Sequence, residues 1–110
     1  MKAVFLYVTF SDASQAESLG RQAIEGGLAA CLNLFPAHRA LYHWEGKIES
    51  SAEFVGLFKT TDLKIDELEA FLKREHPYST PCLARFTPQL NAEFMNWLTA
   101  STSTSTSTPI

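Results

Sequence analysis

The first strand-like segment is apolar on both sides, and this most restricts how the chain can fold. Residues 2–10, KAVFLYVTF, are β-branched or aromatic at almost every position, as in strands that are buried on both faces. Residues 54–60, FVGLFKT, are also apolar on both sides. A sheet of such strands cannot leave one face in water, because a large exposed apolar patch usually marks a partner surface. We therefore expect an obligate homo-oligomer.

Two helices with apolar stripes separate the strand-like segments. The first opens at Ser11-Asp12 and stops at Gly26-Gly27, where glycine adopts the left-handed conformation without steric cost. The second is predicted over Asp62–Glu75, and Pro77 forbids its continuation. A short last helix follows Asn91. A second strand is predicted at 28–35; it must bulge, bend or lie at an edge at Pro36, and the chain resumes at 39–44. The third and fourth strands are predicted within 47–60 and at 81–86.

This order of elements predicts an α+β fold. Strand, helix, strand, strand, helix, strand makes two interleaved βαβ units, which form the ferredoxin-like βαββαβ antiparallel sheet with a short C-terminal helix. Both main helices then cover the same face of the sheet and leave the other face open. The predicted domain spans residues 1–100. Residues 101–110, a Ser/Thr alternation closed by Pro-Ile, are predicted to be a disordered tail.

Charge and composition argue against several classes of function. The 9 Lys and Arg against 12 Asp and Glu give a net charge of −3, so the chain lacks the basic excess that nucleic-acid binding needs. The apolar run at 3–8 is too short to span a bilayer. Two cysteines, Cys31 and Cys82, allow at most one disulfide, so the cytoplasm is the simplest compartment. No Ser-His-Asp or Cys-His arrangement points to an enzyme.

Four blocks of sequence, in order along the chain, resemble one known family. They are LAACLN at 28–33, YHWEGK at 42–47, FKTT at 58–61 and HPYSTP at 76–81. Together they resemble the CutA divalent-cation tolerance proteins over about residues 4–98. The resemblance implies a homotrimer with sheets packed around a threefold axis, tolerance or binding of copper and other divalent ions, and an architecture similar to that of PII signalling proteins.

The candidate metal ligands follow partly from this resemblance. Some family members carry a cysteine near the end of the first strand and two adjacent histidines before Pro-Tyr; here these positions are Val8 and the pair Glu75-His76. His76 therefore carries over, Glu75 would supply an oxygen, and Cys31 is a thiolate of the type that reduced copper prefers. The apolar strand around Cys31 favours a core or interface residue over a ligand, and His76 can instead cap its helix as a cation.

A second candidate site is a cleft between subunits for a small ligand or a metal ion. Its predicted lining is Asn33, Trp44, Lys59, Tyr78 and His76. An aromatic residue such as Trp44 can instead anchor a subunit contact, and the Lys59 stem can extend its charge to solvent. Two functions follow: a trimeric copper-tolerance protein without catalytic turnover, or a PII-like signalling or scaffold trimer that binds a small anion through Lys59.

Overall fold

The computed structural model describes residues 1–103, which form five strands and three helices. The elements in chain order are β1 (Ala3–Phe10), α1 (Ala13–Glu25), β2 (Cys31–Leu34), β3 (His38–Trp44), β4 (Lys47–Thr61), α2 (Ile65–Glu75), β5 (Leu83–Phe86) and α3 (Ala92–Ser103). Within these residues, no helix has both the length and the apolar character needed to cross a membrane.

The sheet has the predicted ferredoxin-like order. Its strands run β2-β4-β1-β5, every neighbouring pair is antiparallel, and β3 pairs with the first half of β4. The long strand β4 is therefore shared: its second half lies between β1 and β2, and its first half forms a hairpin with β3. The predicted fold class is confirmed.

The main core lies between the sheet and helices α1 and α2. The side chains of Leu6, Val8, Phe10 and Phe58 are fully buried there. They pack against Ala16, Leu19 and Ala23 of α1 and Ile65, Leu68 and Leu72 of α2. Alternate residues of β1 and β4 supply this helix side, so the intervening residues point to the opposite, open side of the sheet.

Helix α3 covers one end of the open side, which the predicted fold had left bare. Leu98 is fully buried and packs with Ala3 and Ala30, with Leu90 and Met95 beside them. Further along the open side Tyr7, Val55 and Leu57 stay half-buried in the single chain. The apolar second face therefore exists as predicted, but the chain itself hides part of it.

Two predicted strands are shorter in the structure, each for a local reason. The N–H groups of Leu28 and Ala29 bond back to the Ala23 carbonyl, so β2 starts only at Cys31. The predicted last strand began at Pro81, but proline has no N–H for a ladder, and β5 starts at Leu83.

Helix α2 begins three residues later than predicted. Asp62 does not begin the helix, because it is hydrogen-bonded to Lys2. Its carboxylate accepts a hydrogen bond from the Lys2 N–H at 3.0 Å, and its own N–H donates to the Lys2 carbonyl at 2.9 Å. These two bonds extend the β1–β4 pairing by one step, and the chain turns through Lys64 before the helix starts at Ile65.

Helix α3 runs beyond the predicted domain end at residue 100. It continues to Ser103, and Thr102 is buried with its hydroxyl donating to the Leu98 carbonyl at 3.0 Å. The first three residues of the predicted tail are therefore helical. The rest of that predicted tail, 104–110, lies outside the described residues.

Candidate functional site

A lysine and a cysteine meet on the open side of the sheet. Cys31 on β2 pairs directly with Lys59 on β4, and Asn33 pairs with Leu57 one step along the same face. Burial raises the pKa of the Cys31 thiol, and the nearby charge of Lys59 lowers it by a smaller amount. The cysteine is thus a half-buried thiol beside a positive charge.

The Lys59 ammonium lies among aromatic rings. Its Nζ is 5.2 Å from the ring centre of Phe5 and 5.3 Å from that of Phe94 on α3, both within cation–π range. Lys59 is half-buried, and the contacts of its ammonium within the single chain are these two rings rather than Tyr78. Within the described residues it forms no ion pair, and the faces of these two rings attract its ammonium.

His76 is buried, and both of its ring nitrogens are occupied. The Tyr78 N–H donates to Nδ1 at 3.1 Å, so Nε2 carries the proton and donates to the Thr9 carbonyl at 2.8 Å. The ring stacks on Phe10, with 4.9 Å between centroids. Only 6% of His76 is exposed. The side chain therefore fastens the end of α2 to the end of β1, and it is the backbone N–H, not the ring, that bonds a helix carbonyl, Leu72 O.

Replacing His76 with phenylalanine should destabilise the fold. The variant keeps an aromatic ring stacked on Phe10 but leaves the Thr9 carbonyl and the Tyr78 N–H without hydrogen-bond partners. Buried polar groups without partners cost about 1–3 kcal/mol. We expect a loss of that size in the free energy of unfolding, measured by urea titration. The same change at exposed His43 is the control, with an effect within about 0.5 kcal/mol. Equal effects at the two positions would contradict this role.

The three predicted metal ligands do not form a site within one chain. Glu75 is exposed and its carboxylate contacts the Arg74 guanidinium at 3.2 Å. His76 has no unoccupied nitrogen, and Cys31 lies beside Lys59 on the open side. Residues 1–103 contain no group of three or more His, Cys, Asp or Glu side chains placed to hold a metal ion. Donors from one chain alone therefore do not fit copper.

A cavity of about 760 Å³ lies beside the β3–β4 hairpin; we call it the hairpin cavity. One wall is the hairpin and the other is the loop that follows α2. The lining consists of Thr9, Ser11, Tyr42, Trp44, Glu49, Ser51, Ala52, Glu53, Tyr78, Ser79, Thr80 and Cys82.

The residues predicted to share one cleft are divided between two places. Trp44 and Tyr78 line the hairpin cavity, and His76 contacts Tyr78 edge-on at 4.6 Å. Asn33 and Lys59 lie instead on the open side with Cys31. Within one chain the predicted cleft is therefore two separate features.

The sequence interpretation missed Glu49 and Ser51 as part of this cavity, although a signal was present. The two-residue turn Glu45-Gly46 has positive φ at both positions, 50° and 78°, which is the geometry of a tight hairpin. Such a turn sets the register, and it places Tyr42 opposite Glu49. Because this register follows from the turn, the sequence could have predicted that Tyr42 and Glu49 lie on the same face of the hairpin.

Comparison with known proteins identifies the family by sequence. A family model described as CutA1 divalent ion tolerance protein matches residues 4–101. The Divalent-cation tolerance protein CutA of Thermococcus kodakarensis is 39% identical over 99 residues, 89% of this chain and 94% of that protein. The protein of the same name from Thermotoga maritima is 39% identical over 98 residues, 86% of this chain and 94% of its own length.

Solved structures agree with the sequence comparison. The crystal structure of divalent ion tolerance protein CutA1 from Ehrlichia chaffeensis has a TM-score of 0.90 at 28% identity, covering 94% of this chain and 98% of that one. The periplasmic divalent cation tolerance protein CutA from Archaeoglobus fulgidus has a TM-score of 0.87 at 32% identity, covering 92% and 99%. With its sheet order and its sequence both matching, this chain belongs to the CutA1 divalent ion tolerance family.

Proposed function

We propose that the chain acts as a non-catalytic homotrimer in divalent-cation tolerance, and that it binds copper or another divalent ion between subunits. The open side of the sheet is the observation that supports this assembly. There Tyr7, Val55 and Leu57 stay half-exposed, because α3 covers only the other end of that side. Half-exposed apolar side chains on one side of a sheet are stabilised when the same side of neighbouring subunits buries them.

A metal site between subunits is supported by the donor chemistry of this chain. The half-buried thiol of Cys31 lies on the side that we propose faces a neighbour, and thiolate is a preferred ligand of reduced copper. Glu75 and His76 complete the proposed donor set. For His76 to ligate a metal ion, its ring must lose its hydrogen bond with either the Tyr78 N–H or the Thr9 carbonyl.

A copper titration with cysteine variants tests this proposal. We expect the trimer to bind Cu(I) in competition with a chromogenic chelator, and Cys31→Ser to weaken binding at least tenfold, because a thiolate is lost. Cys82→Ser is the matched control, since Cys82 is exposed and outside the proposed donor set. Copper binding that does not change in Cys31→Ser would refute the assigned thiolate.

Indifference of the whole protein to copper would instead favour the second candidate, a PII-like signalling or scaffold trimer that binds a small anion. Lys59 supports that alternative, because its ammonium forms no ion pair within residues 1–103 and is held by two rings. The cytoplasm remains the proposed compartment, supported by the low cysteine usage.

A further inference from the structure

A second, smaller cavity lies where the chain bends between β2 and β3. Strand β2 ends at Leu34, β3 begins at His38, and Pro36 lies between them. The cavity has a volume of about 240 Å³, and we call it the kink cavity. Pockets for drug-sized ligands have volumes of about 300–1,000 Å³, so this one suits a smaller group. Its lining consists of Ala37, His38, Arg39 and Ala52.

The Arg39 side chain does not lie on the side of the sheet that we propose to be buried between subunits. Arg39 pairs directly with Ala52, so the two side chains share one side of the hairpin. Side chains alternate along β4, so Ala52 lies on the same side as Phe58, which is buried under α1 and α2. Val55 and Leu57 lie on the opposite side. Contact through the open side therefore does not cover Arg39.

The guanidinium of Arg39 is held in place, but its charge has no partner. Its Nη1 donates a hydrogen bond to the Ser50 Oγ at 2.8 Å. Within residues 1–103 Arg39 forms no ion pair, whereas every other arginine does. These pairs are Arg21 with Glu17, Arg74 with Glu75, and Arg85 with Asp66 and Glu69. A guanidinium fixed by one neutral hydroxyl keeps its remaining N–H donors for a ligand.

The bend adds a backbone donor beside this arginine. The Phe35 N–H donates to the Val55 carbonyl at 2.9 Å, but the Ala37 N–H has no acceptor in the described part of the chain. His38 also borders the cavity, and its ring lies 3.8 Å from the Glu53 carboxylate, on the other side of the hairpin. The lining itself includes no Asp or Glu. The cavity therefore offers positive charge and N–H donors to an anion.

We propose that the kink cavity binds a phosphate group, with two N–H groups of Arg39 and the Ala37 N–H donating to its oxygens. The planar guanidinium matches two phosphate oxygens at once, which a lysine ammonium does not. This inference does not rest on the proposed function. Arg39 is outside the proposed copper donor set, and it lies on the opposite side of the sheet from Lys59.

Calorimetry with inorganic phosphate on the full-length assembled protein, at fixed physiological ionic strength, tests this proposal. We expect saturable binding that weakens at least tenfold in Arg39→Gln. Arg39→Lys keeps the charge but loses the paired donors, so it should bind more weakly than the unmodified protein and more tightly than Arg39→Gln. Arg21→Gln is the matched control, because it removes the same charge from an exposed position on α1. It should change the affinity less than twofold.

Glycerol 3-phosphate, titrated in the same way, distinguishes the two sources of a phosphate group. Tighter binding than that of inorganic phosphate would support a phosphate monoester as the ligand. Weaker binding would support the free ion.

Four results would overturn the proposal. The first is the absence of saturable binding of either compound at millimolar concentration. The second is equal weakening in Arg21→Gln and Arg39→Gln, which would mean that only net charge attracts the anion. The third is loss of binding in Lys59→Gln but not in Arg39→Gln, which would place the anion at Lys59. The fourth is a smaller sedimenting mass for Arg39→Gln than for the unmodified protein, which would assign Arg39 to a subunit contact.

Discussion

Replacing Leu57 with glutamate should convert the assembled protein into single chains. Leu57 lies in the middle of the open side, between Asn33 on β2 and Tyr7 on β1. In the proposed trimer its side chain is buried against a neighbouring subunit. A carboxylate there would be desolvated without a partner, at a cost of several kcal/mol for each subunit. Such a cost is comparable to the whole free energy of many associations.

Sedimentation at micromolar concentration measures this result directly. The unmodified protein should sediment at three times the 12.2 kDa mass of one chain, and Leu57→Glu at 12.2 kDa. Circular dichroism on the same samples should show that the variant keeps its helices and strands. Leu63→Glu is the control, because Leu63 is 67% exposed and lies outside the sheet. A monomeric unmodified protein would contradict the proposed assembly.

Truncating Phe58 to alanine should remove much of the stability of the fold. Phe58 is fully buried in the main core, on the helix side of β4. Its loss removes transfer free energy and leaves a cavity, which together cost about 3–5 kcal/mol. That is a large part of the 5–15 kcal/mol typical of a native domain.

An exposed leucine provides the control for this substitution. Leu63 is 67% exposed and lies outside the sheet. Urea unfolding of Phe58→Ala and Leu63→Ala, at one fixed protein concentration, should therefore give a clearly larger loss in the free energy of unfolding for Phe58→Ala. A loss below about 1 kcal/mol for Phe58→Ala would contradict the assigned core.

Most of the fold could be predicted because its signals are local. The continuous apolar run of β1, the acidic cap of α1 and the proline after α2 each specify an element from neighbouring residues alone. The Asp12 carboxylate does accept the Ser14 N–H at 2.8 Å, as its position before the helix predicted. Errors arose where a distant partner decided the outcome, as at Asp62, which bonds to Lys2 rather than extending α2.

The candidate site was harder to predict because its side chains depend on long-range packing. Nothing near His76 in the sequence shows that its ring will meet the Thr9 carbonyl, 67 residues earlier in the chain. The position of Lys59 depends likewise on α3, whose Phe94 ring reaches it from 35 residues later. The family resemblance marked these positions but did not supply their partners.

The unbroken length of β4 has a mechanical consequence. Its residues 54–61 are held on both edges, by β1 and partly by β2, while its residues 47–53 form the arm of the β3–β4 hairpin. One strand passes through both halves without interruption. A displacement of the hairpin tip at Gly46 is therefore transmitted along β4 to the side chains packed around Phe58.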